Sequence, residues 1–225
     1  ILARLDAAGL SPSKPAAKTE LLRRAYYDLT GLPPEPKNVD AFLADHSPDA
    51  FETLIDRLLK SPHYGERWGR HWLDVVRYAD SAGFANDFER PNAWRYRDYV
   101  IRSFNGDKPY DRFLIEQISG DELVDWRNAK AFTPQIKESL IATGFLRLAA
   151  DVTYAPELNT ADIRNQVLYN TLQILGSNLL GLTLQCAQCH SHKFDPISHA
   201  DYYRLRAVFA PAYDVQNWKQ SKERF

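Results

Sequence analysis

Five consecutive residues carry the most specific chemistry in this 225-residue sequence: Cys186-Ala187-Gln188-Cys189-His190. These are the chain's two cysteines, three positions apart, with an imidazole adjacent. No disulfide can therefore staple distant segments within the chain. Thiols at this spacing can add across the two vinyl groups on one edge of a porphyrin, and the neighbouring imidazole then reaches the iron from the proximal face. That is the c-type haem-attachment pattern, in which covalent tethering holds the ligand beside the metal at high effective concentration. Three readings compete with it. Cys186, Cys189, His190 and His192 have zinc-ligand chemistry, but four ligands within one short run crowd one side of a tetrahedron. A thioredoxin-like redox pair needs a strand-turn-helix setting, whereas this motif follows a helical pattern. Two inert cysteines are the plainest alternative. One covalent haem c with His190 as axial ligand is the expectation. Export to a periplasmic or extracellular setting goes with it, because such maturation takes place outside the cytoplasm.

The opposite face of the iron is the open question. The chain has no methionine, which removes the His/Met ligation of many cytochromes c. His46, His63, His71, His192 and His199 remain as candidates. His192 is two residues from the proximal ligand, where ordering the motif or bonding a propionate is the simpler role. His46 falls in a loop and His199 at a helix start. His71 shares a predicted helical face with Trp68, Val75 and Tyr78 and has Asp74 at i+3 to orient it. It reads either as the distal ligand or as a core histidine bonded to its neighbours. Arg67, Arg70, Arg77, Arg95, Arg97 and Lys193 are candidate partners for haem propionates, or ordinary surface cations. The acids Asp80, Asp87 and Glu89 have oxygen ligands for calcium but no recognised loop spacing. The expected cofactor-binding set is Cys186, Cys189, His190, His71, His192, Arg77, Tyr78 and Lys193, with His190 and His71 on the metal. No catalytic residue is assigned.

The elements that must position these groups read as helices. Leu21, Leu22, Ala25, Tyr26 and Leu29 form an apolar stripe that stops at Gly31, with Pro33 and Pro34 beyond. Ser47-Pro48 and Ser61-Pro62 are start signals, the first leading through Leu59 and the second through Tyr78. A polar loop, Asp80 to Pro91, separates this from a helix containing Trp94 to Phe104. Shorter helices are expected around Phe113 to Ile118, Ile136 to Leu148 and Tyr202 to Phe209. Leu168, Leu172, Leu175, Leu179 and Leu182 stay on one helical face, interrupted by Gly176 and Gly181, where close packing would offset glycine's cost of roughly 1 kcal/mol. The fold class is mainly α: a single helical domain over residues 1–225, with long loops and the CxxCH segment after a long helix.

Bulk properties agree with a folded chain. Hydrophobic residues make up 44% and aromatics 12%, enough for a sizeable core and against disorder. A formal charge of −1 gives no electrostatic footprint for nucleic acid. No apolar run of membrane-spanning length occurs. The chain opens at Ile1 and reads as part of a longer exported protein whose targeting segment is not included.

Several stretches together resemble a known family, the planctomycete-type cytochrome-like domain. They are Leu22 to Pro34 (LRRAYYDLTGLPP), Ser61 to Asp80 (SPHYGERWGRHWLDVVRYAD), Asn92 to Val100 (NAWRYRDYV) and Cys186 to Tyr203 (CAQCHSHKFDPISHADYY). Asp107 to Asp111 and Gly120 to Leu123 fall in the same order. The resemblance implies an exported haem c domain, accompanied in such proteins by a second domain downstream. It marks His71, Trp72, Arg77, Tyr78, Asp80, Asn92, Trp94, Arg97, His192, Lys193 and Asp195 as family-typical, while Ser191 and His199 depart from the usual pattern. The expected function is one-electron transfer outside the cytoplasm, to a redox partner protein or a neighbouring haem. Alternatives are a haem enzyme with an open distal face, where Arg77, Tyr78 or His71 polarises a bound substrate, and a haem-stabilised subunit of a larger homo- or hetero-oligomer.

Overall fold

The computed structural model describes residues 1–84, 87–152 and 155–216. These residues are mainly helical, with a single isolated bridge between Ser81 and Glu89 in place of any strand. Two compact units result, Ile1–Trp68 and Gly69–Phe225. No helix among the described residues is long and apolar enough to cross a membrane.

The first unit contains α1 (Leu2–Ala7), α2 (Lys18–Leu29), α3 (Pro36–Ala44) and α4 (Ala50–Leu59). Its core joins Leu22, Ala25 and Tyr26 of α2 to Phe42 of α3 and to Ala50, Leu54 and Leu58 of α4. Helix α2 stops where the sequence reading places it, with Gly31 in the left-handed region at φ 70°, a conformation glycine adopts without steric cost. Helix α3 was not expected. The proline cluster after Gly31 reads as a stop signal, yet Pro36 takes the first helical turn, where a missing N–H costs nothing.

Helix α5 (Pro62–Val75) begins in the first unit and ends in the second. Its apolar pattern continues to Tyr78, but the helix closes earlier. Arg77 turns left-handed at φ 61°, and the Tyr78 N–H bonds the Leu73 carbonyl at 2.9 Å. The second unit continues with α6 (Trp94–Asn105), α7 (Tyr110–Ser119), α8 (Pro134–Ala142), α9 (Ala161–Leu175) and α10 (His199–Val208). Beyond α8 the chain tightens into a 3₁₀ turn, Thr143–Arg147, where an uninterrupted helix to Leu148 was expected.

Tyr99, Val100, Phe113, Phe145, Leu168 and Leu172 are among the most deeply buried side chains of this unit. Glu116 lies beside them, 7% exposed. It accepts from Arg112 Nε at 2.7 Å, from the Tyr99 hydroxyl at 2.9 Å and from Lys108. Burial pushes this carboxyl up, but those three donors together outweigh it and hold the group below the usual glutamate range. Trp72 donates its indole N–H to the Tyr96 hydroxyl at 3.0 Å and to Gln117 Oε1 at 3.1 Å, so these three interior polar groups meet one another.

Helix α9 leads into the CxxCH segment. Leu168, Leu172 and Leu175 are buried, and Leu179 and Leu182 pack partly buried against the same core. At Gly176 the α-helix widens into a π turn, Gly176–Leu180, which ends at Gly181 with φ 65°. A Cβ added at Gly176 would lie 2.6 Å from Leu184 Cδ1. The glycine therefore admits Leu184, itself 4% exposed, directly ahead of the first cysteine. Gly176→Ala is expected to destabilise the protein by about 1–3 kcal/mol through overpacking, despite alanine's better helix propensity. The urea midpoint reads this; an unchanged midpoint would show that Leu184 yields without cost.

Candidate functional site

The segment Gln185–Gln188 forms one 3₁₀ turn. Ala187 N–H bonds the Leu184 carbonyl at 3.1 Å, and the N–H groups of Cys189 and His190 both bond the Cys186 carbonyl at 3.2 Å. At three residues per turn, positions i and i+3 eclipse. Cys186 and Cys189 thus share a face, and both are exposed free thiols. Ala187, between them in sequence, is fully buried in the core. The turn is pinned by its inner methyl and presents its sulfurs outward.

His190 is also exposed. Its Nδ1 lies 2.8 Å from the Ser191 carbonyl oxygen. A carbonyl can only accept, so in this contact Nδ1 is the donor and Nε2 is the nitrogen left for another partner. Metal-ligating histidines are commonly oriented this way, with one ring N–H given to a carbonyl. His192 is used differently. Its imidazole is 8% exposed, and its Nδ1 accepts the Asp195 N–H at 2.9 Å. The His192 backbone N–H bonds the Ile197 carbonyl at 2.8 Å. The Asp195 carboxylate lies 3.2 Å from the same ring nitrogen, but that nitrogen already takes a backbone N–H, so His192 acts as a staple within its loop.

Helix α10 holds the turn from outside. His199 Nε2 lies 3.1 Å from the Gln188 carbonyl, and the Tyr203 hydroxyl donates to the same oxygen at 3.2 Å. The two rings meet edge to face at 4.9 Å. His199 N–H reaches Ser191 Oγ at 3.4 Å. The helix starts in a capping box: Ser198 Oγ accepts the Asp201 N–H at 3.1 Å, and the Asp201 carboxylate accepts the Ser198 N–H at 3.2 Å. Ser198-x-x-Asp201 is a legible signal for this cap that the sequence reading passed over. Tyr169 and Tyr202 stand within electrostatic reach of the thiols. Burial first, then Cys186 and Cys189, pushes the Tyr169 phenol up; burial pushes Tyr202 up to about 12.

The remaining predicted residues lie elsewhere. His71 is exposed on α5, one turn before Val75, whose carbonyl accepts from Asn178 Nδ2 at 2.6 Å. Arg77 Nη1 donates to Gln173 Oε1 at 3.4 Å. Those contacts bring the end of α5 beside the junction of α9 and the π turn. Tyr78 donates its hydroxyl to Asp80, and burial with that carboxylate pushes its phenol up. Lys193 lies over the Phe194 ring at 5.3 Å. Arg95 bonds Asn92 Oδ1 at 3.1 Å, and Arg97 pairs with Asp98 at 2.9 Å. His46 and His63 belong to the first unit, where His63 Nδ1 lies 2.7 Å from Glu66. Arg67 is also in the first unit, and Arg70 is exposed on α5. Among the described residues no three His, Cys, Asp or Glu side chains gather as a metal-binding group. The quartet considered for zinc and the acids considered for calcium are not brought together in that way.

A family model described as "PSCyt2: Protein of unknown function (DUF1549)" matches residues 1–214. The chain belongs to this family. No curated protein and no solved structure matches it. The PSCyt2 match takes in both compact units, the CxxCH turn and the helix that braces it.

For this PSCyt2 chain, the brace has a measurable consequence. Replacing His199 by Ala together with Tyr203 by Phe removes both side-chain donors to the Gln188 carbonyl. The expected loss is about 1–2 kcal/mol, since a net hydrogen bond contributes roughly 0.5–1.5 kcal/mol. Amide exchange at Cys189 and His190 should quicken. Unchanged exchange there would mean the inner Ala187 anchor alone sets the turn.

Proposed function

We propose that this domain carries one haem c outside the cytoplasm, held by Cys186 and Cys189 with His190 as the axial ligand, and passes single electrons between a donor and an acceptor. The observation that carries the reading is the pair of exposed thiols on one turn beside His190, whose Nδ1 lies 2.8 Å from the Ser191 carbonyl, a contact that leaves Nε2 as the ligand nitrogen. When bound, the group would supply a one-electron couple whose potential its axial ligands tune.

The protein's own parts in this are specific. Two thiols on one face of a 3₁₀ turn are exposed, so each S–H can add across a vinyl double bond, sulfur to one carbon and proton to the other. The turn does not need to unfold for that, because Ala187 and Leu184 anchor it from below. His199 and Tyr203 hold the Gln188 carbonyl, and so hold the peptide linking the two attachment points. His71 is the proposed sixth ligand, on the helix whose end meets the junction of α9 and the π turn. An electron-transfer role places the partner as a redox protein or a neighbouring haem.

Visible spectra of the exported protein, oxidised and dithionite-reduced, with and without carbon monoxide, test the reading. The expected result is one covalent haem per chain, lost in Cys186→Ala/Cys189→Ala, with a reduced spectrum that carbon monoxide leaves unchanged. His71→Ala should then make the spectrum respond to carbon monoxide. A prompt response in the unaltered protein would move the assignment to a haem enzyme with an open site. Absence of haem from protein matured by a competent host would overturn the proposal.

A further inference from the structure

Phe194 stands in the loop that follows the CxxCH turn. It is 83% exposed, more than any other large apolar side chain among the described residues except Ile1. A single apolar residue in water is ordinary on a protein surface. What sets this one apart is how firmly its backbone is held.

The His192 imidazole, 8% exposed, lies inside the loop. Its Nδ1 accepts the Asp195 N–H at 2.9 Å and also receives the Phe194 N–H at 3.4 Å. The His192 N–H bonds the Ile197 carbonyl and the Ile197 N–H bonds the Asp195 carbonyl, each at 2.8 Å. Ile197 packs against the core of the second unit, and the His199 N–H reaches Ser191 Oγ at 3.4 Å. The backbone is thus tied on both sides of Phe194, and its own N–H is taken up within the loop. The ring projects outward because the loop is built that way, and it cannot turn into the core without breaking those bonds.

Little of the chain covers the ring. The His192 ring meets it edge to face at 6.5 Å, and the Lys193 ammonium stands 5.3 Å from its centroid. Four residues separate it from His190, so the two lie within about 14 Å of each other even along a fully extended chain. The exposed thiols of Cys186 and Cys189 stand on the turn that leads into the same loop. A fixed apolar ring beside a motif for attaching a flat apolar group has an evident cover.

We propose that Phe194 shields the haem: with the group attached, the ring leaves water and packs against the porphyrin. This rests on the haem reading above. An aromatic side chain brings a large apolar area and meets another π surface offset or edge-on. By excluding water beside the iron, the ring favours the ferrous form, which carries one positive charge fewer, and so raises the reduction potential. Burial and the local dielectric are among the protein's means of setting that potential.

Proton NMR of the reduced, exported protein tests it, with Phe194→Leu used to assign the ring signals. The porphyrin ring current should move those signals well outside the range of a solvent-exposed phenylalanine. Redox titration gives a second readout. Phe194→Ser should lower the midpoint potential and Phe194→Tyr should largely keep it. Phe194→Ser should still carry one haem per chain, because it alters neither thiol nor His190, and it should fold, because the side chain it removes already stands in water. Ring signals at solvent-exposed positions, or a potential that Phe194→Ser does not move, in protein that carries haem would overturn this inference and leave the haem reading standing. Absence of haem from the unaltered protein would overturn both.

Discussion

Ala187 is fully buried while the cysteines flanking it in the motif are exposed, and this opposition follows from the pitch of a single 3₁₀ turn. Three residues per turn put Cys186 and Cys189 on one side and leave one small residue facing inward. A larger residue at 187 would have to enter a core already occupied by Leu184 and Tyr202, and cores at near-crystalline density resist added volume. The chemistry of the exposed face thus rests on the packing of one methyl group. Everything that positions the site acts either to bring that methyl to the core or to stop the turn from rotating about it.

The approach from α9 does the first. An unbroken α-helix through Leu182 would carry the chain past the core. Instead the helix widens at Gly176, ends in a left-handed Gly181, and sends Leu184 back across the position where a Cβ would stand. Helix α10 does the second. His199 and Tyr203, one helical turn apart, converge on a carbonyl inside the motif, and the capping box at Ser198 fixes where that helix begins. Hydrogen bonds at an exposed site contribute little each, so the brace matters for orientation more than for global stability.

Two groups of charges in the second unit show how the same interior holds buried carboxylates. Glu116 is surrounded by Lys108, Arg112 and the Tyr99 hydroxyl, so a buried anion is fully met. Asp151, also buried, is shared by Arg90 and Arg147. Each carboxylate is held by more than one cationic side chain.

Much was legible in the sequence because local physics carries it. The apolar stripes of α2, α4, α6 and α9, the glycine that stops α2 and the CxxCH spacing are patterns within one helical turn or one motif, and they need no distant partner to be read. The π turn after α9 was marked only as two glycines with a cost to be offset; the offset, Leu184 against Gly176, is a contact between residues whose proximity depends on the chain reversing. Helix α3 was hidden because proline signals both an end and a beginning. His199 was read as a helix-start residue, and its bond to Gln188 is invisible until α10 folds back on the motif. The sequence by itself determined most of the helices and the thiol spacing. Tertiary structure alone decided which way the motif faces and what braces it, because both depend on groups far apart in the chain meeting at hydrogen-bond or van der Waals distance.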